Sequence, residues 1–414
     1  MSFVRRHPLW AIVAGGIAIR LGLAFATVGS TADIAALRAV AEAVEADPLR
    51  PYLVNEGWEG GTAIPAWPYL PAYLPWLVAA LGIHNLLGVP FHGVVQLPPI
   101  AADVAIAIAI HTYLGWHGAV ERVRLAGAAL VMLGPSFIAI SGYHGQIDSV
   151  AILPAVLALM AWERRGPATR ARDAGLLIGL GAAIKTVPGL VLLAVLPAAR
   201  SARERAWLIG AAIALPAALA IPFLVADPGA FEAARGYAGV PGRGGLSLVV
   251  QPSVMWELLV RGVLAPEPSE LREVVADSSR WVSIAVVAAI AAFLLRYRPR
   301  PVDGAVLLWL AIFAFVPNFL IQYLIWGLPF FIMAGYLRET AVLQLVLVPA
   351  TVITYQASAT GGLDEGLATL YVATMIGLWA FWVAAFFTVA VRIARGPRPG
   401  RTEVQPPLVR LAGT

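Results

Sequence analysis

The sequence predicts an all-α, polytopic membrane protein of about twelve transmembrane helices, and three observations carry that prediction. Of its 414 residues, 60% are hydrophobic and only 13% charged, with a mean hydropathy of +0.79, far from the balance of a soluble globular chain. Apolar runs of about 15–25 residues recur along most of the length, and each long one can cross a hydrocarbon core about 30 Å thick. None alternates with period two as barrel strands do, so the spans are helices, which satisfy their own backbone groups in lipid.

Residues 1–28 begin with Arg5 and Arg6, then stay apolar and lack a small-residue cleavage site, so 8–28 is read as a retained first helix. Residues 29–68 are polar and contain "STADIAALRAVAEAVEA", in which Leu37, Val40, Ala41 and Val44 share one face and Arg38, Glu42 and Glu45 the other. That periodicity predicts an amphipathic helix lying at the membrane surface. The piece 69–81 is apolar but holds Pro71 and Pro75 beside tryptophans, which suits a helix dipping into the outer interface. Further spans are predicted at 94–114, 125–142, 147–163, 174–184, 187–199, 206–226, 281–295, 302–316, 319–335, 341–355 and 367–391. Between the seventh and eighth of the crossing helices, 227–280 forms a second polar stretch with the Gly-rich "GYAGVPGRGGLSL" at 236–248.

The formal charge of +5 sits in short basic segments between apolar runs, a topology signal rather than a nucleic-acid footprint. Arg5 and Arg6, "ERVR" (121–124), "ERRGPATRAR" (163–172), "RSARER" (200–205), "RYRPR" (296–300), Arg338 and the tail from Arg392 mark the cytoplasmic side by the positive-inside rule. With 69–81 not crossing, both termini are cytoplasmic and the loops at about 29–68 and 227–280 are external. A scheme that merges 174–199 into one broken helix also restores parity, but places the arginines of 163–172 outside. No repeat or linker divides the chain, so 1–414 is read as one membrane domain with a tail at about 392–414. Cysteine is absent, which excludes disulfides and thiolate chemistry.

An ionisable side chain within a membrane helix costs about 2.5–3.5 kcal/mol on insertion scales, so each one asks for a reason. Arg20, Asp148 and Lys185 all fall in the external half, and Asp33 lies just beyond the first span. Asp103 stands nearer mid-span and reads as a structural partner for another polar group. Asp33 follows Ser30 at capping-box spacing, which alone would stabilise a helix start, and Asp148 has the same helix-start reading. Arg20 and Lys185 can each snorkel to headgroups. Taken together, however, the cations Arg20 and Lys185 suit an anionic lipid phosphate. Trp58, Trp67, Tyr69, Tyr73, Tyr143, His144 and Gln146 offer the planar faces and hydrogen-bond partners that a sugar needs. The combination fits glycosyl transfer on a lipid carrier, and also a transporter of lipids or small solutes.

The order of these elements is similar to a known pattern. Arg20 ends the first helix and Asp33 follows it. Then come Trp67, Pro68, Tyr69, Pro71 and Tyr73, the in-helix Asp103, "GQIDS" from Gly145, "KTVPGL" from Lys185 and "PNFLIQYLIWGLPF" from Pro317. The chain resembles the GT-C superfamily of integral-membrane glycosyltransferases, in particular the mannosyltransferase-like branch near glycosyltransferase family 87. The resemblance implies transfer of a hexose from a polyprenyl-phosphate donor to a lipid-linked or glycan acceptor at the external face, with inversion. It maps the catalytic base onto Asp33. Arg20, Lys185 and, in the Gly-rich loop, Arg243 are then donor-phosphate residues. Trp67, Tyr69, Tyr143, His144, Gln146, Asp148, Gln322 and Tyr323 are sugar or acceptor residues. No Asp-x-Asp or Glu-x-Asp pair follows the first span, so no metal and no cofactor are expected, and Glu56 and Glu59 are fallback bases. The transporter alternative predicts matched broken helices in two halves, whereas one break, near Lys185–Pro188, is seen. A noncatalytic envelope scaffold would leave four costly intramembrane charges without use.

Overall fold

The computed structural model describes residues 7–56, 65–166, 169–235, 242–262 and 270–396. Arg5, Arg6, Trp58, Glu59, residues 236–241 of the Gly-rich stretch and the tail beyond 396 lie outside the described residues. Among those described, every regular element is helical. The principal helices are α1 (Pro8–Ala26), α2 (Thr31–Ala46), α3 (Leu74–Leu87), α4 (Leu97–Trp116), α5 (Glu121–Met132), α6 (Asp148–Arg164) and α7 (Arg170–Ile184). They continue with α8 (Ala202–Ala226), α9 (Glu270–Tyr297), α10 (Pro301–Phe315), α11 (Leu324–Met333), α12 (Leu337–Val346), α13 (Val348–Thr360) and α14 (Glu365–Arg395).

Among the described residues seven helical stretches, from Pro8–Ala26 to Glu365–Arg395, are long and apolar enough to cross a membrane, and four shorter apolar ones accompany them. α6 and α7, of 17 and 15 residues, complete the expected pieces. α3 has 14 residues, about 21 Å at 1.5 Å per residue, short of a core about 30 Å thick. The apolar face of α2, Ile34, Leu37, Val40 and Ala41, packs with Leu74, Leu77 and Leu81 of α3, while Arg38 and Glu42 pair on the exposed side at 2.9 Å. Apart from Asp303 in the first turn of α10, α10 and α11 are apolar all round and nearly wholly buried, with Trp309, Phe313 and Phe330 at the centre of the larger core. By contrast, α8 and α9 expose Trp207, Ile213, Trp281 and Ile284, surface that water would penalise and lipid accepts.

Lipid gives helices no hydrophobic reason to associate, so close packing through small residues has to hold them. A Cβ on Gly175 would stand 2.6 Å from the Leu208 carbonyl oxygen, and one on Gly179 2.8 Å from that of Ala212. Residues 175 and 179 of α7 therefore meet 208 and 212 of α8 in the same order, so the two helices run parallel. The Arg170 Nε–Glu204 hydrogen bond of 2.9 Å joins their N-terminal ends. Two parallel neighbours require a return between them, and Val187–Ala198 supplies it. The arginines of 164–172 and 200–205 thus lie at one end of the bundle, and Lys185 lies at the turn at the other. This geometry excludes the single broken helix over 174–199.

Candidate active site

The end of the bundle opposite the arginines gathers helix termini, and the site is built from them. α1 leads into α2 through Gly29, whose φ of +73° favours glycine and on which a Cβ would lie 1.8 Å from the Tyr143 carbonyl oxygen. That contact presses the start of α2, with Asp33 in its first turn, onto the stretch "GYHGQIDSV". There the chain widens into a π-helical turn, Ile138–His144, and leaves it at Gly145 with φ +87°. Such turns present side chains that a regular helix would aim elsewhere.

The Asp33 carboxylate is the centre of the resulting network. His144 Nε2 lies 2.7 Å from Oδ2, Ser30 Oγ donates to the same oxygen at 2.6 Å, and Gln146 Nε2 donates to Oδ1 at 2.8 Å. The Ser30 side chain makes no capping bond to the helix backbone, so the helix-cap reading of this pair does not hold. His144 Nδ1 is 2.8 Å from the Tyr355 hydroxyl of α13, and Tyr143 and Tyr355 meet edge to face at 4.8 Å. An ionised carboxylate only accepts, so His144 Nε2 carries the proton that points at Asp33. Burial pushes the Asp33 carboxyl up, but the charge and hydrogen bond of His144, the Ser30 hydroxyl and the charge of Lys185 together hold it below its ordinary value. Its side chain remains 40% exposed, so the carboxylate is ionised, oriented and reachable.

Lys185, at the C-terminal end of α7, is the second centre. Its Nζ donates to Asp148 Oδ1 at 2.7 Å, with 6% and 0% of the two side chains exposed. Three rings surround the ammonium, Tyr69 at 4.9 Å, Trp326 at 5.2 Å and Tyr323 at 5.7 Å. Trp326 Nε1 also donates to Asp148 Oδ1, and Tyr323 stacks on Trp326 at 3.8 Å. Asp148 Oδ2 is buried with no hydrogen-bond partner among the described residues. Asp148, expected to hold sugar hydroxyls, is thus enclosed and serves Lys185. Gln322 is half-buried in the same short turn, Ile321–Tyr323.

Arg243 is half-buried in the turn before the short helix Gly245–Val250, within electrostatic reach of Tyr371 on α14. Ser247 ties that turn to the Pro317 carbonyl, beside the segment that leads into α11. Glu56 is exposed at the end of the turn Pro51–Asn55, and Tyr73 is buried with its hydroxyl on the Val95 carbonyl.

Two further expectations are corrected. Arg20 does not face a donor phosphate. It is fully buried, with Nε on Asp103 Oδ2 at 3.0 Å and Ser141 Oγ at 2.9 Å and its remaining nitrogens on the carbonyls of Gly16, Met132 and Val131. Asp103 also accepts from Ser141 and Ser149, so this cluster bolts α1, α4, the π-helical turn and α6 together below the site. The reason is proximity, since a Cβ on Gly142 would lie 2.9 Å from Arg20 Cγ, leaving no solvent path. Trp67 likewise offers no open face to a sugar. It is fully buried, clamped by the Asn55 amide and edge-on to Tyr69 at 5.1 Å.

Tyr355 and Trp326 were not singled out from the sequence. Trp326 stood inside "PNFLIQYLIWGLPF" without an assigned role, and the only hint at Tyr355 was a polar pair, Tyr355-Gln356, at the end of a span. Among the described residues no group of three or more histidine and carboxylate side chains is placed to hold a metal ion.

The arrangement offers a held, ionised carboxylate at a partly open face, with a cation caged by aromatic rings in the same cluster. Comparisons with known proteins bear on it. The sequence model of glycosyltransferase family 87 matches residues 63–321. No curated protein matches the chain. Among solved structures, the apo crystal structure of the Archaeoglobus fulgidus oligosaccharyltransferase aligns with a TM-score of 0.43 at 13% identity, covering 97% of this chain. The chain spans 57% of the length of that structure.

Proposed function

This chain belongs to glycosyltransferase family 87, and from that premise we propose that it is a metal-independent, inverting hexosyltransferase using a polyprenyl-phosphate-linked sugar. The sugar is mannose or a close relative, and the acceptor is a lipid-linked or glycan hydroxyl. The observation that carries this reading is the Asp33 carboxylate, 40% exposed yet held by His144, Ser30 and Gln146. Among the described residues Gln146 alone donates to Oδ1, which leaves that oxygen capacity to accept from an incoming acceptor hydroxyl.

In this mechanism the acceptor oxygen attacks the anomeric carbon as its proton passes to Asp33. The bond from the anomeric carbon to the phosphate oxygen breaks, and its electron pair leaves with the polyprenyl phosphate. That leaving group is already a stable anion and needs no general acid. Charge grows on the phosphate oxygens, and Lys185 answers it with the N–H groups not engaged by Asp148 Oδ1. Arg243, on the turn that packs against Pro317 and Phe319, is a second cation for the phosphate. Tyr69, Tyr143, Gln322 and Tyr323 supply faces and hydrogen bonds to the sugar or acceptor, and His144 and Gln146 aim the base.

The arginine clusters lie together at the far end of the bundle, which supports cytoplasmic termini and an external site under the positive-inside rule. The test is transfer from radiolabelled polyprenyl-phosphate mannose in membranes, with analysis of the lipid extract. Asp33→Asn is expected to lower turnover by about 10²–10⁴-fold, the usual contribution of a general base, with the fold intact. Wild-type turnover by that variant would remove Asp33 from the reaction.

A further inference from the structure

A separate feature lies at the arginine-rich end. A cleft of about 460 Å³ runs between α7 and α8, lined by Arg172, Leu176, Arg203, Trp207, Gly210 and Ala214. We propose that it binds the acyl chain and phosphate headgroup of an anionic phospholipid, independently of the transfer reaction.

Three observations point to that occupant. First, charge complements a phosphate at one end only. Arg172 and Arg203 stand in the first turns of two parallel helices. Arg172 is 53% exposed and shares Asp173, while Arg203 is exposed with no polar partner among the described residues. Guanidinium groups match phosphate geometry, and basic pockets between membrane helices select anionic headgroups.

Second, the length fits one leaflet. From Arg203 to Ala214 the helix rises about 16 Å at 1.5 Å per residue, close to half of a hydrocarbon core about 30 Å thick. Beyond the arginines the lining is apolar, with Leu176 and Trp207 exposed at 43% and 51%. A free phosphate would use only the rim, whereas a phospholipid uses rim and trough together.

Third, the trough has a flat floor. A Cβ built on Gly210 meets nothing within 4 Å, although a glycine in mid-helix weakens the helix. The neighbouring glycines of α7 behave differently, since Gly175 and Gly179 are already in contact with α8. Gly210 therefore serves no helix contact, and the space above it is open to an acyl chain.

The experiment uses the full chain purified in detergent, with native mass spectrometry counting retained phosphatidylglycerol or phosphatidylcholine of identical acyl chains. Wild type is expected to retain the anionic lipid about tenfold better or more, the effect of two arginines near a phosphate. The Arg172→Gln, Arg203→Gln double variant should lose that preference and bind both lipids alike. Gly210→Leu should abolish retention of phosphatidylglycerol, whereas Gly210→Ala, which leaves the trough open, should bind as wild type. Circular dichroism on each variant checks that the helices persist. Equal retention of the two lipids by wild type, or an unchanged preference in the arginine double variant or in folded Gly210→Leu, overturns the proposal.

Discussion

The buried pair of Lys185 and Asp148 makes an asymmetric prediction. Lys185→Met leaves the Asp148 carboxylate, 0% exposed, with the Trp326 indole as its one donor among the described residues and with Oδ2 unsatisfied. Removing one partner of such a pair costs about 3–5 kcal/mol, because the other charge stays buried. Asp148→Asn instead leaves an ammonium surrounded by Tyr69, Trp326 and Tyr323, and a desolvated cation–π contact returns about 2 kcal/mol. The lysine variant should therefore be the less stable by about 2 kcal/mol. At an unfolding entropy of about 2.1 cal/mol/K per residue, a chain of 414 residues gives about 0.9 kcal/mol/K. Lys185→Met should then melt about 3–6 °C lower and Asp148→Asn about 1–3 °C lower.

The Lys185→Met, Asp148→Asn double variant removes both charges and should recover most of the stability lost by Lys185→Met alone. Its turnover should stay as low as that of Lys185→Met, because the ammonium that answers the charge on the phosphate is still missing. Intrinsic tryptophan fluorescence or circular dichroism suits the melts, since the absence of cysteine rules out thiol-reactive dyes. A wild-type melting temperature for Lys185→Met, or a larger loss for Asp148→Asn, would refute the electrostatic argument. Wild-type turnover in the double variant would remove Lys185 from the chemistry.

Other outcomes follow from the same contacts. His144 helps hold the Asp33 carboxyl below its ordinary value, so its removal raises that value. In His144→Gln the acid limb of kcat/KM should move to higher pH, and an unmoved limb would show that His144 does not act on the base. Arg20→Met should cost about 3–5 kcal/mol by stranding Asp103. Arg20→Met with Asp103→Asn should regain both stability and transfer, which a phosphate-binding arginine would not allow. Gly29→Ala places a methyl group against the Tyr143 carbonyl at a φ of +73°. Displacing Asp33 by about 1 Å should lower kcat about 10²-fold while the melting temperature falls only slightly. Unchanged kcat would mean that the contact does not position the base.

Hydropathy and helical periodicity are local properties, and they made the membrane class, the helical spans and the amphipathic character of α2 readable from residue order. Asp33, "GYHGQIDSV" and Lys185 were visible as candidates for the same reason, since a costly polar group in an apolar chain stands out against its immediate neighbours. Partnership is not local. Asp33 meets His144 across 111 positions, and His144 meets Tyr355 across 211. Such pairs depend on which helices pack and in which direction, and composition says nothing of either. Arg20 and Lys185 carried the same signal in the chain, a single cation near the outer end of a span. Packing separated them, because Gly142 lets the π-helical turn close over Arg20 while the break after Ile184 turns Lys185 toward the Tyr69, Tyr323 and Trp326 faces.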